Sequence, residues 1–278
     1  MDPLLYFHPQ ELCIPGLKKD YRLLQVSDAH LILYDEEETP ARAAYAAPRI
    51  PMFSKDGISS NQRFECLLTY IHEHAAELDA VVFTGDIVDF PSKPALRYLK
   101  EKLDALPVPY LYTLGNHDWS YFDNYHTPHS RVAERPLFSA FCGGNTYLQK
   151  LRLGELTLIG VDNTQEFYED GVPEALDEAL KGEERVLLLQ HIPFYADTLH
   201  DITAAVWRRD ITVGGKGICH NDNWRLVQER ITRPDSPVRA LITGHLHFTH
   251  YDLVNDRLPQ FVAGQTALGD IHIFHIHG

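Results

Sequence analysis

The hydrophobic residues of this chain fall into short runs separated by glycine or polar turns. One of these runs, at residues 80–84, is continuously apolar, as strands that are buried on both faces are, and five runs in all predict strands. They cover residues 22–26, 80–84, 110–114, 185–189 and 238–242. Two further strand-like runs on either side of Gly154 and Glu155 predict a hairpin. Residues 271–276 alternate isoleucine with other residues, which predicts an edge strand.

Two stretches between these strands repeat their apolar residues every three or four positions, as amphipathic helices do. The first covers residues 62–78 and begins with a capping box formed by Ser59 and Gln62. The second covers residues 93–106, whereas the stretch between the first strand and the first helix predicts a polar loop. Strands that alternate with helices indicate an α/β protein whose ligands bind beyond the carboxyl ends of the strands.

The composition agrees with one globular domain. Of the 278 residues, 44% are hydrophobic and 23% are charged, and these proportions are ordinary for a globular protein. No Pro-, Gly- or Ser-rich linker divides the chain. We therefore predict a single domain over residues 1–278, with cap-like loop segments near 119–145 and 197–223.

Charge, cysteine content and hydropathy narrow the function classes. The net charge of −14 disfavours long nucleic acid as a partner. The four cysteines are scattered without a C-x-x-C pair, which argues against a zinc ribbon or a disulfide framework and fits a reducing compartment. No apolar stretch approaches the roughly 18 residues that a membrane span needs, and the N-terminus lacks a signal-peptide pattern. We expect a cytoplasmic protein that does not bind membranes, and the oligomeric state stays open.

Each of the five strand-like runs is followed by residues that can bind a metal ion. These residues are Asp28, His30, Asp86, Asn116, His117, His191, His245 and His247. Residues i and i+2 of an extended segment point to the same side, so Asp28 and His30 can face one metal site. The same spacing argument applies to His245 and His247. Carboxylate, amide and imidazole donors suit Mn, Fe or Zn better than Ca.

Three glycines stand beside these residues, at positions 85, 115 and 244. A residue without Cβ is suited to a place where the chain turns sharply close to a ligand. An isolated Asp or His at a strand end is usually a solvated loop residue, and Gly-Asp and Gly-Asn are ordinary turn dipeptides. Five such sites in order along the chain, with both two-residue spacings, favour a functional centre.

The ordered set carries a resemblance to a known family. Its motifs are Asp28-x-His30, Gly85-Asp86-x-x-Asp89, Gly115-Asn116-His117-Asp118, His191 and Gly244-His245-x-His247. This set, which spans residues 28–247, resembles the signature of the calcineurin-like metallophosphoesterases. The resemblance implies a four-layer α/β/β/α sandwich of two facing sheets flanked by helices. It also implies a metal-dependent phosphoric ester hydrolase that acts on a small-molecule phosphoester.

The resemblance further implies a role for each residue. One metal ion would be held by Asp28, His30, Asp86 and His247. The other would be held by Asp86, Asn116, His191 and His245, so that the Asp86 carboxylate bridges the two ions. A hydroxide between the ions would attack the phosphorus atom in line. His117 would donate a proton or a hydrogen bond to the leaving oxygen, Asp89 would orient that imidazole, and Asp118 would support the site.

Differences between these motifs and those of related branches of the superfamily indicate the substrate class. Phe90 and Pro91 follow the second motif, where protein serine/threonine phosphatases of the superfamily carry Gly-Arg. Asp89 stands where purple acid phosphatases carry a metal-binding Tyr, and His117 stands where diacylglucosamine pyrophosphate hydrolases carry Arg. The chain is then similar to the branch of class III cyclic-nucleotide phosphodiesterases and glycerophosphodiesterases. A phosphomonoesterase, a protein phosphatase, a nuclease and a non-catalytic metal-binding scaffold remain the alternatives.

Several other residues have two possible interpretations. Four of them either line the substrate pocket or form a packed cap, namely Trp119, Tyr121, His126 and His129. The C-terminal histidines favour a strand over a metal-binding tail, and they are His272, His275 and His277. Residues 214–217 lack the spacing of a phosphate-binding loop and predict a surface loop.

Overall fold

The computed structural model describes residues 4–120, 127, 130–208, 211, 213–214 and 221–278. Within these residues the strands are β1 (Tyr6–Cys13), β2 (Tyr21–Val26), β3 (Ser54–Lys55), β4 (Ile58–Ser59), β5 (Ala80–Thr84), β6 (Tyr110–Thr113), β7 (Leu148–Leu153), β8 (Leu156–Val161), β9 (Val186–Leu189), β10 (Val238–Thr243), β11 (His250–Val254), β12 (Leu258–Val262) and β13 (Asp270–His277). The α-helices are α1 (Pro40–Arg49), α2 (Ser60–Glu73), α3 (Lys93–Asp104), α4 (Asn116–Ser120), α5 (Val172–Leu180), α6 (Asp197–Trp207) and α7 (Asp222–Thr232). All of the strands predicted from hydrophobic runs are present.

The strands form two large sheets. One has the order β1-β13-β2-β5-β6 and the other has the order β11-β12-β10-β9-β8-β7. Strands β2, β5 and β6 are parallel, and so are β8, β9 and β10. Because the carboxyl ends of parallel strands lie at the same edge of a sheet, the segments that follow β2, β5 and β6 are neighbours, as are those that follow β9 and β10.

The two sheets face each other across a shared hydrophobic core. Leu23 and Val82 from the first sheet pack in one buried cluster with Leu187 and Ile242 from the second. On the outer face of the first sheet, α2 and α3 contribute to a second cluster. On the outer face of the second sheet, α5 and α7 contribute to a third. The layers therefore run α/β/β/α, as the resemblance implied.

The boundaries of the two predicted helices are close to those observed. Ser59 caps α2, and both hydrogen bonds of the capping box with Gln62 are present. Helix α2 ends at Glu73, and a short 3-10 turn follows before β5, so the prediction to residue 78 was too long. The predicted polar loop before α2 is wrong in part, because it contains α1, whose first turn is capped by the Thr39 side chain.

The prediction that residues 271–276 form an edge strand is wrong. Strand β13 lies inside the first sheet, between β1 and β2, and β1 is the edge. Strand β1 contains Pro9, which is tolerated at a sheet edge because its missing N–H leaves no interior ladder bond unmade. The alternation of β13 reflects its two faces, both of which are covered, since His272 is as buried as Ile271.

Candidate metal centre

The predicted metal-binding residues meet at the carboxyl edges of the two sheets. We call the following seven residues the ligand cluster: Asp28, His30, Asp86, Asn116, His191, His245 and His247. Six of them follow strands β2, β5, β9 and β10, and Asn116 begins α4 just after β6. Their donor atoms form close groups, each with members within 4.8 Å of one another, namely Asp28 with His30 and His247, and Asp86 with His191 and His245. A third such group joins His30, Asp86 and His117.

Asp28 and His30 come together by a different backbone route from the one predicted. They do not lie in an extended segment, because both have left-handed φ angles of 53° and 43°. Hydrogen bonds hold this conformation, since the Asp28 N–H donates to the carbonyl oxygen of Gly85 and the His30 N–H donates to that of Asp86, both at 2.9 Å. Non-glycine residues adopt such angles at a cost, and these outliers cluster at functional sites.

His245 and His247 also have left-handed φ angles, of 74° and 62°. The spacing argument that they face one site is wrong, because the structure places them in different groups. His247 Nε2 lies 3.3 Å from Asp28 Oδ1, whereas His245 Nδ1 lies 3.3 Å from His191 Nε2. This separation agrees with the assignment to two different metal ions that the resemblance implied.

The second half of the ligand cluster surrounds His191. Its Nε2 lies 3.2 Å from Asp86 Oδ2 and 3.1 Å from Asn116 Oδ1. Its other ring nitrogen, Nδ1, donates a hydrogen bond of 2.8 Å to the carbonyl oxygen of Thr84. This bond orients the ring so that Nε2 faces Asp86 and Asn116. A metal-binding histidine is usually oriented in this way.

The donor atoms of the ligand cluster fit metal ions. Asp28 Oδ1 and His245 Nε2 are buried; Asp28 Oδ1 has His247 Nε2, another member of the ligand cluster, at 3.3 Å, but neither atom makes a hydrogen bond of good geometry to any part of the chain that the structure describes. A buried polar atom without a hydrogen bond is costly, so these two atoms call for a bound partner. Carboxylate oxygens and imidazole nitrogens that converge in this way are the donors that Mn, Fe and Zn prefer.

The pKa values of His30 and His245 agree with this interpretation, whereas that of His191 reflects the negative charge of Asp86. Burial lowers the pKa of His30 to about 4, and burial together with the neighbouring His191 lowers that of His245 to about 3. Both imidazoles are therefore neutral at physiological pH, which is the form that binds a metal. Burial also lowers the pKa of His191, but the Asp86 carboxylate more than offsets this and raises it to about 9. The pocket around Asp86 thus attracts positive charge.

The glycines beside the ligand cluster are required by close packing, as predicted. A Cβ on Gly115 would lie 2.0 Å from the Asp86 backbone nitrogen and 2.1 Å from its Oδ1. A Cβ on Gly244 would lie 1.8 Å from Ser27 Oγ and 2.6 Å from Asp28 Oδ2. Any larger residue at these positions would displace a carboxylate of the centre.

Asp118 holds the backbone of the centre in place. Its Oδ1 accepts hydrogen bonds from the N–H groups of Ile87 and Val88 at 2.9 and 3.0 Å. Its Oδ2 accepts from those of Gly115 and Asp86 at 2.8 and 3.1 Å. One buried carboxylate therefore joins the segment after β5 to the segment after β6, and this fixes Asp86 relative to Asn116.

We predict that Asp118→Asn destabilises the protein. The amide can accept through one oxygen only, so its NH₂ group would face two of the four buried backbone N–H donors. Each buried donor left without a partner costs about 1–3 kcal/mol, and the expected loss is roughly 2–6 kcal/mol of the free energy of unfolding. Urea denaturation of the metal-free protein measures it. An unchanged denaturation midpoint would contradict the role assigned to Asp118.

Asp89 is the buried centre of a second network beside the ligand cluster. Its Oδ1 accepts from His30 Nδ1 at 3.0 Å and lies 3.2 Å from His117 Nδ1. Burial lowers the pKa of His117, but the Asp86 and Asp89 carboxylates outweigh it and raise that pKa above its ordinary value. Asp89 therefore contacts both a member of the ligand cluster and the predicted acid. The sequence reasoning gave it only the second contact.

The sequence reasoning missed Arg49, the last residue of α1. Its guanidinium donates hydrogen bonds to both oxygens of Asp89, from Nη2 to Oδ1 at 2.6 Å and from Nε to Oδ2. The alanine-rich stretch of residues 40–49 is a weak helix signal, and it carries no information about a contact with Asp89.

The other aromatic and histidine residues singled out in the sequence lie outside the ligand cluster or outside the described residues. Trp119 is fully buried, and its Nε1 donates to Thr164 Oγ1 at 2.8 Å, so it belongs to a packed interior and does not line a pocket. Tyr121, His126, His129 and residues 215–217 lie outside the described residues. His272 pairs with His8 across β13 and β1. Among the residues described, no close group of three metal donors contains a C-terminal histidine.

Two facing sheets with carboxylates and imidazoles at their carboxyl edges define an α/β protein with a candidate dinuclear metal centre. The family model of the calcineurin-like phosphoesterases matches residues 21–248. The chain therefore belongs to the calcineurin-like phosphoesterase family, which implies a dinuclear metal site. None of the described helices has the length and apolar character needed to cross a membrane.

Two curated relatives are cyclic-nucleotide phosphodiesterases. A cAMP/cGMP dual specificity phosphodiesterase of Mycobacterium tuberculosis is 24% identical over 245 residues, which is 84% of this chain and 63% of that protein. A 3′,5′-cyclic adenosine monophosphate phosphodiesterase of Escherichia coli is 26% identical over 98 residues, which is 35% of this chain and 30% of that protein. The matched region thus spans less than two thirds of the length of either relative.

Two solved structures share the fold. A dimetal phosphatase from Danio rerio superposes with a TM-score of 0.55 at 16% identity, covering 92% of this chain and 93% of that one. A purple acid phosphatase from yellow lupin, Lupinus luteus, superposes with a TM-score of 0.56 at 12% identity, covering 92% of this chain and 45% of that one. Identities this low show a common architecture, which agrees with the four layers described above.

Proposed function

We propose that this protein is a dinuclear-metal-dependent phosphodiesterase that hydrolyses a small-molecule phosphodiester. The observation that carries the proposal is the place of Asp86. Its carboxylate belongs to the donor group with His191 and His245, and its Oδ2 also lies 3.9 Å from Nε2 of His30, a member of the group with Asp28 and His247. A carboxylate shared in this way is suited to bridge two cations that lie side by side.

The proposed ligand sets extend two of the close groups of donor atoms, the first by Asp86 and the second by Asn116. One ion takes Asp28, His30, Asp86 and His247, and the other takes Asp86, Asn116, His191 and His245. When bound, such a pair of ions supplies an activated water and neutralises the charge on the phosphoryl oxygens. Mn, Fe and Zn all suit these donors. Metal analysis of the purified protein would identify the native pair.

His117 has two tasks in this proposal, one through its backbone and one through its side chain. The backbone N–H of His117 donates a hydrogen bond of 2.7 Å to Asp86 Oδ1 and so fixes the bridging carboxylate. The His117 imidazole faces Asp89 through Nδ1, and in this proposal Nε2 is the ring nitrogen that donates a proton to the leaving oxygen. General acids of this kind contribute about 10²–10⁴ in rate.

The preference for a diester is supported by two observations. The curated relatives are named as phosphodiesterases of cyclic nucleotides. In addition, Asp89 stands at the position of the metal-binding Tyr of purple acid phosphatases, and here it contacts His30, His117 and Arg49. The dimetal phosphatase among the structural neighbours makes a phosphomonoesterase the second candidate.

A pair of chromogenic substrates tests the proposal. We expect the Mn²⁺-loaded protein to hydrolyse bis(p-nitrophenyl) phosphate with a kcat/KM at least about tenfold above that for p-nitrophenyl phosphate, a difference of about 1.4 kcal/mol in activation free energy. The opposite order would make the protein a monoesterase, and digestion of DNA or RNA would make it a nuclease. Fewer than two bound metal ions per chain with no esterase activity would make it a metal-binding scaffold.

A further inference from the structure

Side-chain contacts hold helix α1 beside the candidate metal centre. Arg42 donates through Nη2 to Glu134 Oε1 at 2.6 Å and through Nη1 to the carbonyl oxygen of Pro91 at 3.4 Å. The Tyr45 ring packs edge-on against Phe90, with 5.6 Å between ring centroids. Both Phe90 and Pro91 directly follow Asp89 in the chain. The end of α1 is therefore held next to Asp89 by contacts that do not involve the ligand cluster.

Arg49 is the residue that joins α1 to Asp89. Its guanidinium meets the carboxylate as a fork, with one N–H group on each oxygen. This arrangement fixes the plane of a carboxylate as well as its position. The side chain of Arg49 is 11% exposed and that of Asp89 is fully buried. The rings of Tyr45 and Phe53 lie 5.2 and 5.4 Å from the guanidinium carbon and hold it in place.

The orientation of the Asp89 carboxylate matters because its Oδ1 lies close to the rings of two histidines. It accepts from His30 Nδ1 at 3.0 Å, so the Nε2 of that ring faces His247 and Asp86. The same oxygen lies 3.2 Å from His117 Nδ1. A carboxylate that rotated away would release the His30 ring and would leave His117 Nδ1 with only the backbone carbonyl oxygen of Asp89, at 3.3 Å. The Phe53 ring, which stacks on His30 at 4.0 Å, fixes the face of that imidazole but not its rotation within the ring plane.

We propose that Arg49 is a positioning residue that holds Asp89 in the one orientation that aligns both His30 and His117. This inference rests on the proposed function, in which His30 binds a metal ion and His117 is the acid. Arg49 acts through Asp89 and does not touch the substrate. Its loss should therefore weaken metal binding and turnover without weakening substrate binding.

The test measures metal binding directly. Mn²⁺ is titrated into the metal-free protein by calorimetry for the wild type, Arg49→Gln and Arg49→Lys. The matched control is Arg97→Gln, because Arg97 also contacts two carboxylates, Asp35 and Glu37, at 2.9 and 2.8 Å, but on the surface. Loss of an outer partner of a metal ligand typically costs about 10–100-fold in metal affinity. We expect a loss of this size in Arg49→Gln, a smaller loss in Arg49→Lys, which keeps the charge without the fork, and none in Arg97→Gln.

The kinetic readout separates positioning from substrate contact. We expect kcat for bis(p-nitrophenyl) phosphate to fall in Arg49→Gln at saturating Mn²⁺, with KM unchanged. A raised KM together with wild-type Mn²⁺ affinity would assign Arg49 to substrate binding and overturn the inference.

Failure of the inference and failure of the proposed function give different results. If the wild type binds two Mn²⁺ ions and Arg49→Gln binds them equally tightly, the inference falls and the proposed function stands. If the wild type itself binds fewer than two ions, both fall. If Arg49→Gln does not fold, Arg49→Lys decides, and wild-type Mn²⁺ affinity in that variant overturns the inference.

Discussion

Asp86→Asn is expected to lower the turnover of bis(p-nitrophenyl) phosphate by at least about 10³-fold. Metal ions supply several kcal/mol of transition-state stabilisation, and about 1.4 kcal/mol corresponds to a tenfold change in rate. The substitution keeps the size of the side chain but removes the negative charge that two donor groups share. The bound metal content should fall from two ions per chain to one or none, as measured by elemental analysis after Mn²⁺ loading and gel filtration.

The contacts of the Asp86 carboxylate and the conformation of the Asp86 backbone make this residue difficult to replace. Its Oδ2 lies 3.2 Å from His191 Nε2, and its Oδ1 accepts from the backbone N–H of His117 at 2.7 Å. Its own φ angle of 54° is left-handed, and Gly115 has no Cβ to obstruct it. The backbone is therefore shaped around this one carboxylate.

Asp104→Asn is the control for this experiment. Asp104 is an exposed carboxylate at the end of α3 that pairs with Lys100 across one helical turn. Its replacement should leave metal content and turnover unchanged. If Asp86→Asn retained two metal ions and wild-type turnover, the bridging role would be wrong.

The positions of the ligand cluster were predictable because they depend on topology. Parallel strands end at a common edge, so polar residues after 22–26, 80–84 and 110–114 had to approach one another. The short β-rich runs identified these strands without any tertiary information. Glycines at positions 85, 115 and 244 indicated close backbone approach for the same local reason.

The local conformation of the ligand cluster was not predictable from spacing. Five of its members, Asp28, His30, Asp86, His245 and His247, have left-handed φ angles. A two-residue spacing is compatible with an extended strand or with this strained turn, and only tertiary hydrogen bonds such as that from Asp28 N–H to Gly85 decide between them. Strain of this kind costs about 1–3 kcal/mol per residue and persists because the surrounding structure holds it.

Arg49 shows the second kind of limit. Forty residues separate it from Asp89. The helix that carries it is easily mistaken for a loop in the sequence, because Tyr45 is its only large apolar residue and Pro48 lies within it. No pattern in the sequence indicates which arginine contacts which aspartate. The same is true of β1, whose place at the sheet edge depends on a partner strand near the other end of the chain.

His117→Ala should leave the metal content at two ions per chain while kcat falls by about 10²–10⁴, the usual contribution of a general acid. The reason is that His117 Nδ1 lies 3.2 Å from Asp89 Oδ1, and in the proposed function the imidazole donates a proton from Nε2 and belongs to neither ligand set. The loss should be largest for a diester with an alkyl leaving group, which departs as a strong base. It should be smaller for p-nitrophenolate, which needs little protonation.

The comparison of two leaving groups makes this prediction specific to acid catalysis. A defect in metal binding would lower the rates of both substrates equally, whereas loss of the acid lowers them unequally. His72→Ala is the control, since His72 is exposed on α2 and should change neither rate. Because His117 also lies within 4.8 Å of donor atoms of His30 and Asp86, its geometry alone would permit metal binding. A variant that lost a metal ion and slowed both substrates to the same extent would therefore make His117 a ligand and not the acid.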